Sequence, residues 1–128
     1  MKLERLRGRK ICERVLRQGR VWKGKHMTVR SLSGVPRHPH ADPSALAVYL
    51  GTLASSKLDK SAVRRNRMRR RCREAWRLEL REHPDFPSQQ LLIAPRSSSL
   101  SAPFDDIRRD VRAFLSSLSH ARQEAPRR

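Results

Sequence analysis

The feature that most constrains the fold is a run of ten residues, Arg64–Arg73, in which seven positions are arginine. A guanidinium group leaves water only when an acidic partner goes with it, and the neighbouring segments hold too few carboxylates to pair with them all. The run therefore cannot be buried in a core. The planar, forked donor set of arginine suits phosphate oxygens and base edges better than the point charge of lysine. We interpret the run as a surface for a polyanion outside the chain.

The run falls within a predicted helix that starts at Ser61 and reaches about Glu82, just before Pro84. At about 100° per residue, the apolar side chains of this helix collect on one side and most of its arginines on the other. The predicted packing face consists of Met68, Cys72, Ala75 and Trp76. The opposite face consists of Asn66, Arg70, Arg73, Arg77 and Arg81, flanked by Arg67 and Arg69.

Three arginines of this helix fall at the margins of the packing face, namely Arg64, Arg65 and Arg71. We expect their stems to lie on apolar surface and their charged heads to stay outside. Three glutamates, Glu74, Glu79 and Glu82, are spaced to pair with arginines of the same helix, but they cannot neutralise its first half. Asn66 can donate and accept hydrogen bonds at once amid these cations.

The composition agrees with a nucleic-acid partner, because 30 Lys and Arg against 12 Asp and Glu give a formal net charge of +18. Charge alone would also fit a ribosome-like assembly protein. A membrane-surface role is disfavoured, since it would require large apolar residues opposite the charges on a short helix. No apolar run has the length of a membrane span and no signal-peptide core follows the N-terminus, so we expect a cytoplasmic protein without a membrane partner.

We call the predicted helix from Ser61 to about Glu82 the arginine helix. Hydrophobic patterns outside it predict a single mixed domain over residues 1–120, followed by a basic flexible tail, 121–128. Helices are predicted at Arg9–Gln18, which stops at Gly19, and from about Phe104 to Leu118. Strands are predicted at His26–Leu32, Ala45–Leu50 and Gln90–Ala94, with a proline-containing loop at Ser33–Pro43 and a partly extended stretch at Met1–Gly8. The expected fold class is α+β, one small sheet packed by helices.

The sequence offers no catalytic or metal-binding constellation. Cys12 and Cys72 are isolated thiols, which we interpret as small buried hydrophobes, and the five histidines are scattered. No cluster of Asp and Glu suits Mg²⁺, which argues against a nuclease that acts on its own.

The segment Lys60-Ser61-Ala62-Val63-Arg64-Arg65-Asn66-Arg67-Met68-Arg69-Arg70-Arg71-Cys72-Arg73-Glu74-Ala75-Trp76-Arg77 resembles the signature of the bacterial ribonuclease P protein subunit. That signature is Ala-Val, then Arg-Asn-Arg, a basic pair and Arg-Glu-Ala-aromatic-Arg. Cys12–Gly19 with Gly24–Val29 resembles the first helix and opening strand of that family, and Leu91–Arg96 resembles its last strand. In all, the resemblance covers about residues 3–118, and it is weakest in the Ser33–Ala45 loop.

The resemblance implies a four-stranded sheet packed by helices in the order α-β-β-β-α-β-α, with an uncommon left-handed β-α-β crossover through the arginine helix. It implies assistance to a catalytic RNA that removes the 5′ leader of precursor tRNA. The partners would be ribonuclease P RNA and precursor tRNA, with no need for protein oligomerisation. The active site would lie in the RNA, which would hold most of the Mg²⁺, and the protein would contribute no catalytic residue.

Two sets of site residues follow from the resemblance. The RNA subunit would be bound by Arg65, Asn66, Arg67, Arg69, Arg70, Arg73 and Arg77. The leader would lie in a cleft between the first helix and the sheet, with Cys12, Leu16, Trp22, Arg30, Lys57 and Lys60 as candidate contacts. Cys12 and Leu16 align with positions where the family offers aromatic rings, so this chain departs from the pattern there. Trp22 is a candidate substitute, or else part of the core or its edge.

Two hypotheses other than a ribonuclease P protein would also give the arginine helix a function. A ribosome-associated or general RNA-binding structural protein would account for the charge, although not for the Asn66 motif. A helix-turn-helix DNA-binding regulator would need a second short helix just upstream, where Ala45–Thr52 has the pattern of a strand.

Overall fold

A computed structural model describes residues 2–36, 47–84 and 86–124, without the side chains of residues 2 and 119–124. The elements are β1 (Lys2–Arg5), α1 (Arg9–Gln18), β2 (Arg20–Lys23), β3 (Met27–Ser33), β4 (Ala47–Thr52), α2 (Ala62–Arg81), β5 (Gln89–Pro95), a 3₁₀ turn (Ser97–Leu100) and α3 (Phe104–Glu124). The predicted α+β class is confirmed, and each predicted helix and strand is present with its ends shifted by a few residues. Most of the Ser33–Pro43 loop and the last four tail residues lie outside the described residues, while 121–124 belong to α3.

The sheet has five strands in the order β1-β4-β5-β3-β2, one more than predicted. The additional strand is β1, which runs parallel to β4 at the edge and places Leu3 beside Val48 and Arg5 beside Leu50. Only Leu3 is apolar in Lys2–Arg5, so the segment has too little alternation to predict a strand. Central β5 lies parallel to β4 and antiparallel to β3. The β4-α2-β5 crossover is therefore present, and its left hand stays a prediction.

The turn from β1 into α1 depends on a glycine. Leu6 donates its backbone N–H to the carbonyl of Leu50 (3.0 Å) and so extends the strand pairing by one residue. Gly8 then adopts a φ of 97°, in the left-handed region that side chains disfavour, and its carbonyl accepts from Cys12 in the first turn of α1 (3.0 Å). At the other end α1 stops at Gly19, as predicted.

The sheet separates two apolar clusters. On one face, β3, β4 and β5 pack against α2 and α3 through Met27, Val29, Val48, Leu50, Leu91, Ile93, Cys72, Ala75, Trp76, Leu80, Ile107, Val111, Phe114 and Leu115. On the other face, α1 packs through Val15 on Leu6, Ala47, Tyr49 and Leu92. The chain thus forms three layers, α1, sheet and the α2/α3 pair, with α2 free to turn its other side outward.

A buried ion pair joins α2 to α3. Glu79 is fully buried, and its Oε2 accepts from Arg108 Nε and Nη2, both at 2.6 Å, while Arg112 Nε lies 3.8 Å from Oε1. The prediction that Glu79 pairs within its own helix is therefore wrong. The packing of α3 on α2 excludes solvent from Glu79, and a charge that is removed from solvent needs a partner of opposite charge. Glu74, by contrast, pairs with Arg77 within α2, as predicted.

Candidate nucleic-acid interface

The packed and the exposed residues of helix α2 lie on different sides of the helix, as its sequence predicts. Met68, Cys72, Ala75 and Trp76 each have no exposed surface, and Leu80 continues their stripe. Asn66, Arg67, Arg70 and Arg77 are exposed, while Arg65, Arg69 and Arg73 are half-buried. The apolar stripe fixes the rotation of the helix, so the arginines are held on the outer side by the core beneath them.

The start of α2 is fixed by Ser61 and by Asp59 of the preceding connection, residues 53–60. Ser61 Oγ caps the helix by accepting from the N–H of Arg64 (3.3 Å), and Asp59 Oδ1 accepts from the N–H of Ser61 (2.8 Å). Arg65 Nη1 donates to the carbonyl of Asp59 (2.9 Å). Two orphan donors at the helix start are thus satisfied, and Arg65 uses part of its fork within the chain.

Asn66 and Arg69 act as one unit. Arg69 Nη1 donates to Asn66 Oδ1 (2.9 Å) and Arg69 Nη2 donates to the carbonyl of Ala54 (2.9 Å). The Nε of Arg69 is buried and has no hydrogen-bond partner among the described residues. The asparagine in the arginine run therefore orients a neighbouring guanidinium, one turn along the helix.

These side chains border a cleft of about 560 Å³ between α2 and the end of the β1/β4 pair. Its lining consists of Arg5, Leu6, Leu50, Gly51, Thr52, Asn66, Arg69, Arg70 and Arg73. None of the described residues that line it is acidic, and none of the described residues forms an ion pair with any of the four arginines. Four guanidinium groups around one concavity make it strongly attractive to an anion.

Sequence reasoning missed Arg5, which the structure adds to this cleft. Arg5 pairs with Leu50 in the parallel β1/β4 register, and Leu50 belongs to the cluster under α2, so Arg5 is on the α2 side of the sheet. The preceding Glu4 falls on the other side, because successive strand residues alternate. Without a predicted strand at Lys2–Arg5, the sequence held no signal that this arginine would stand beside the helix.

Arg71 has a different environment from its neighbours in the run. Its Nη1 donates to the carbonyl of Ser99 (2.7 Å) and its Nη2 to the carbonyl of Ala102 (2.5 Å). The expectation that its head lies in solvent is wrong, because the turn before α3 passes close enough to accept both hydrogen bonds. Arg64 does remain mostly exposed, with Asp59 Oδ2 at 3.7 Å from its Nη1.

Arg77 forms an ion pair with Glu74 on the surface of α2. Its Nε donates to Glu74 Oε2 (2.9 Å), and its Nη2 donates to Oε1 of the same carboxylate. This fork holds the pKa of Glu74 below its usual value. Of the seven predicted RNA-subunit contacts, Arg67, Arg70 and Arg73 therefore have no hydrogen-bond or ion-pair partner within the described chain.

Three of the six candidate leader contacts share the α1 side of the sheet. Cys12 is half-buried against the α1 cluster, and partial burial raises the pKa of its thiol. Leu16, one turn further, is 41% exposed. Arg30 is half-buried on β3, where its register partners are Val21 and Leu92. Leu92 belongs to the α1 cluster, so Arg30 is on the same face as α1.

The other three candidates lie elsewhere. Trp22 pairs with Val29 and packs on Phe114 of α3, with ring centroids 5.7 Å apart, so it belongs to the opposite face of the sheet. Its placement beside Cys12 and Leu16 is wrong, because the β2/β3 register turns it toward α3, and the core-edge alternative fits. Lys57 and Lys60 are exposed on the connection that Arg65 and Arg69 hold against α2.

The remaining chemistry of the described residues is sparse. Cys72 is buried on the packing face of α2, and burial raises the pKa of its thiol to about 12. Among the described residues, no group of three or more His, Cys, Asp or Glu is placed to hold a metal ion. Within the same part of the chain, no helix is long and apolar enough to cross a membrane.

Comparisons with known proteins agree with the sequence resemblance. The family model described as Ribonuclease P matches residues 1–119. The protein named Ribonuclease P protein component of Prochlorococcus marinus (strain MIT 9303) is 33% identical over 103 residues, which cover 77% of this chain and 80% of that protein. Its namesake in Coprothermobacter proteolyticus is 37% identical over 97 residues, covering 76% of this chain and 69% of the relative.

Among solved structures, the RNase P protein of Thermotoga maritima superimposes with a TM-score of 0.68 at 19% identity, covering 89% of this chain and 96% of that one. At that identity, the superposition speaks for the fold alone, and it supports the same α+β class, an open sheet packed by helices. The family match spans α1, the arginine helix and most of α3. The chain therefore belongs to the ribonuclease P protein family.

Proposed function

We propose that this chain binds the catalytic RNA of ribonuclease P through the outer face of α2 and thereby promotes removal of the 5′ leader from precursor tRNA. Family membership makes it a protein component of ribonuclease P, with a role in tRNA processing. The observation that carries the finer proposal is the arginine cleft, without an acidic residue in its described lining, beside a helix whose rotation is fixed by Met68, Cys72 and Trp76.

The α2 face holds its guanidinium groups at fixed positions, so it suits a folded RNA better than a diffuse positive charge would. Arg67, Arg70 and Arg73 have guanidinium groups free of described partners, and such forks bind phosphate oxygens in pairs. Arg65 and Arg69 are held in place by backbone carbonyls, so less side-chain freedom is lost when they meet a ligand. Neutralising several phosphates releases counterions, so the complex weakens steeply with salt.

We place hydrolysis of the phosphodiester in the RNA partner, with Mg²⁺ held mainly there. Mg²⁺ requires oxygen ligands in near-octahedral geometry, and the described residues of this chain do not offer a cluster that fits it. When bound by the RNA, the ion would activate water and stabilise the leaving oxygen. The residues of this chain would bind and orient the two RNAs and carry no proton in the reaction.

The leader would pass over the α1 side of the sheet, where Leu16 is exposed and Arg30 supplies a cation. Neither Cys12 nor Leu16 stacks on a base as an aromatic ring does, a contact worth about 1–3 kcal/mol per base. We therefore propose weaker leader binding than a relative with rings at these positions would have, with Arg30 contributing mainly through phosphate attraction.

Reconstitution tests this proposal. The chain, a bacterial ribonuclease P RNA and a precursor tRNA are mixed at moderate Mg²⁺, and cleavage at the mature 5′ end is followed by gel. We expect the protein to accelerate cleavage by the RNA and to cleave nothing alone. Controls are the RNA alone and a basic RNA-binding protein of similar charge. Cleavage by the protein alone, or acceleration no greater than with the basic control, would refute the proposal.

A further inference from the structure

We propose that the cleft between β1 and α2 is a binding site for a backbone phosphate of the RNA partner, gripped from the strand by Arg5 and from the helix by Arg70 and Arg73. This inference rests on the proposed function and adds to it a specific ligand group and an arginine outside the helix. Its consequence is that the N-terminal edge strand is part of the RNA-binding surface.

The first argument is the charge of the cleft. Arg5, Arg69, Arg70 and Arg73 line one concavity of about 560 Å³, and no acidic side chain is among its described lining residues. Like charges brought this close destabilise a fold unless a ligand offsets them. Acidic partners do exist nearby in sequence, but Glu74 is engaged by Arg77 and Asp59 by the start of α2. The folded chain thus leaves this charge for an anion from outside.

The second argument is an unpartnered donor at the same place. Arg69 is held at both terminal nitrogens, by Asn66 and by the carbonyl of Ala54, while its buried Nε has no hydrogen-bond partner among the described residues. Buried N–H groups in proteins are almost always paired, so an orphaned donor on a residue that lines a cationic cleft favours an acceptor supplied from outside the chain. A phosphate oxygen is such an acceptor.

The third argument is geometric. Arg5 comes from the strand and Arg70 and Arg73 come from the helix, so an occupant is contacted from two sides. A cleft of this volume lies within the range of about 300–1,000 Å³ that ligand pockets span, and it admits a phosphate together with its sugar. An RNA backbone meets this requirement.

The test measures the affinity of ribonuclease P RNA for wild type, Arg5→Ala, Arg5→Lys and Arg7→Ala over a series of salt concentrations. Arg7 is the matched control, since it is exposed two residues further on and does not line the cleft. We expect Arg5→Ala to weaken binding at least about five-fold and to lower the salt slope by about one. Arg7→Ala should change the affinity less than about two-fold. Equal effects of the two alanine variants would overturn the proposal.

Thermal unfolding of each variant shows whether Arg5→Ala detaches β1. If it does, Arg5→Lys is the variant that tests the contact. Lysine keeps the charge but loses the fork, so we expect an unchanged salt slope with a several-fold lower affinity. Wild-type affinity in Arg5→Lys would overturn a forked contact. If wild type itself does not bind the RNA, the proposed function fails. If wild type binds and Arg5 has no effect, only the cleft assignment fails.

Inorganic phosphate is the other source of the same chemistry. It is titrated against RNA binding at constant ionic strength, with chloride as the control anion. We expect phosphate to compete with the RNA in wild type more than chloride does, and to lose this advantage in Arg5→Ala. Phosphate binding that depends on Arg5 without any competition with the RNA would assign the cleft to the free ion and overturn the proposal.

Discussion

Two adjacent arginines of α2, Arg70 and Arg71, should respond in opposite ways to removal. Arg71 donates to the carbonyls of Ser99 and Ala102, at 2.7 and 2.5 Å, and so ties α2 to the turn that precedes α3. Arg70 lines the cleft and has no hydrogen-bond or ion-pair partner among the described residues. We therefore predict that Arg71→Ala destabilises the fold, while Arg70→Ala weakens RNA binding.

The magnitude follows from the contacts that are lost. A hydrogen bond from a charged donor contributes about 1.5–3 kcal/mol, so two such bonds give about 3–6 kcal/mol. Arg71 is half-buried, and water can replace part of what the two carbonyls lose, so we expect about 2–4 kcal/mol in the free energy of unfolding. For Arg70→Ala, an exposed side chain without a partner, we expect a change within about 0.5 kcal/mol.

The assay pairs urea unfolding of each variant with its affinity for ribonuclease P RNA at several salt concentrations. Arg70→Ala should lower the salt slope by about one, and Arg71→Ala should leave the slope close to that of wild type under conditions where it is folded. The two substitutions remove the same charge from neighbouring positions, so each controls for the other. Wild-type stability in Arg71→Ala together with a reduced slope would show that its head faces the RNA, and would refute the reasoning.

The remaining predictions concern the core, a buried thiol and the leader surface. Trp76→Ala should cost about 3–5 kcal/mol of unfolding free energy. Trp76→Phe should cost less, because the buried indole N–H has no partner among the described residues; equal losses in urea unfolding would contradict this. Burial raises the Cys72 pKa from 9.0 to about 12, so the folded state holds that proton more tightly than the unfolded state. Stability should fall as pH rises through this window, by up to about 1.4 kcal/mol per pH unit, and a Cys72→Ala variant with an identical pH profile would disprove the assignment. Leu16→Phe should increase the affinity of the reconstituted enzyme for precursor tRNA by about 1–3 kcal/mol, with mature tRNA, which lacks the leader, as the control. An equal gain for both tRNAs would mean that Leu16 does not meet the leader.

The arginine helix was predictable because two independent signals agree on its rotation. Its apolar residues recur with helical spacing, and its cations fill the complementary positions. The positions of Met68, Cys72 and Trp76 therefore determine the rotation of the whole helix about its axis. The family signature lies on the same residues. The sequence placed Arg70 on the outer face and Arg71 at the margin of the packing face. It did not predict the two hydrogen bonds of Arg71, since they depend on where the turn before α3 passes.

What the sequence did not predict depends on tertiary partners. Glu79 has helical spacing to arginines of α2, yet its partners are Arg108 and Arg112 on α3. Trp22 follows α1 closely in sequence, but the β2/β3 register turns it to the opposite face. Arg5 enters the cleft only because a four-residue strand pairs with β4, and so short an element relies on its neighbour rather than on its own pattern.

The central claim is that α2 contributes binding of the RNA, and that no side chain of this helix takes part in catalysis. Its most direct test compares wild type with the triple variant Arg67→Ala/Arg70→Ala/Arg73→Ala, using Arg109→Ala on α3, 74% exposed, as the control for a surface charge. The dissociation constant for ribonuclease P RNA and the cleavage rate at saturating protein are measured for each. We predict binding weaker by about 100-fold or more in the triple variant, with a saturated cleavage rate within about three-fold of wild type. Unchanged binding with a lost cleavage rate would contradict the account.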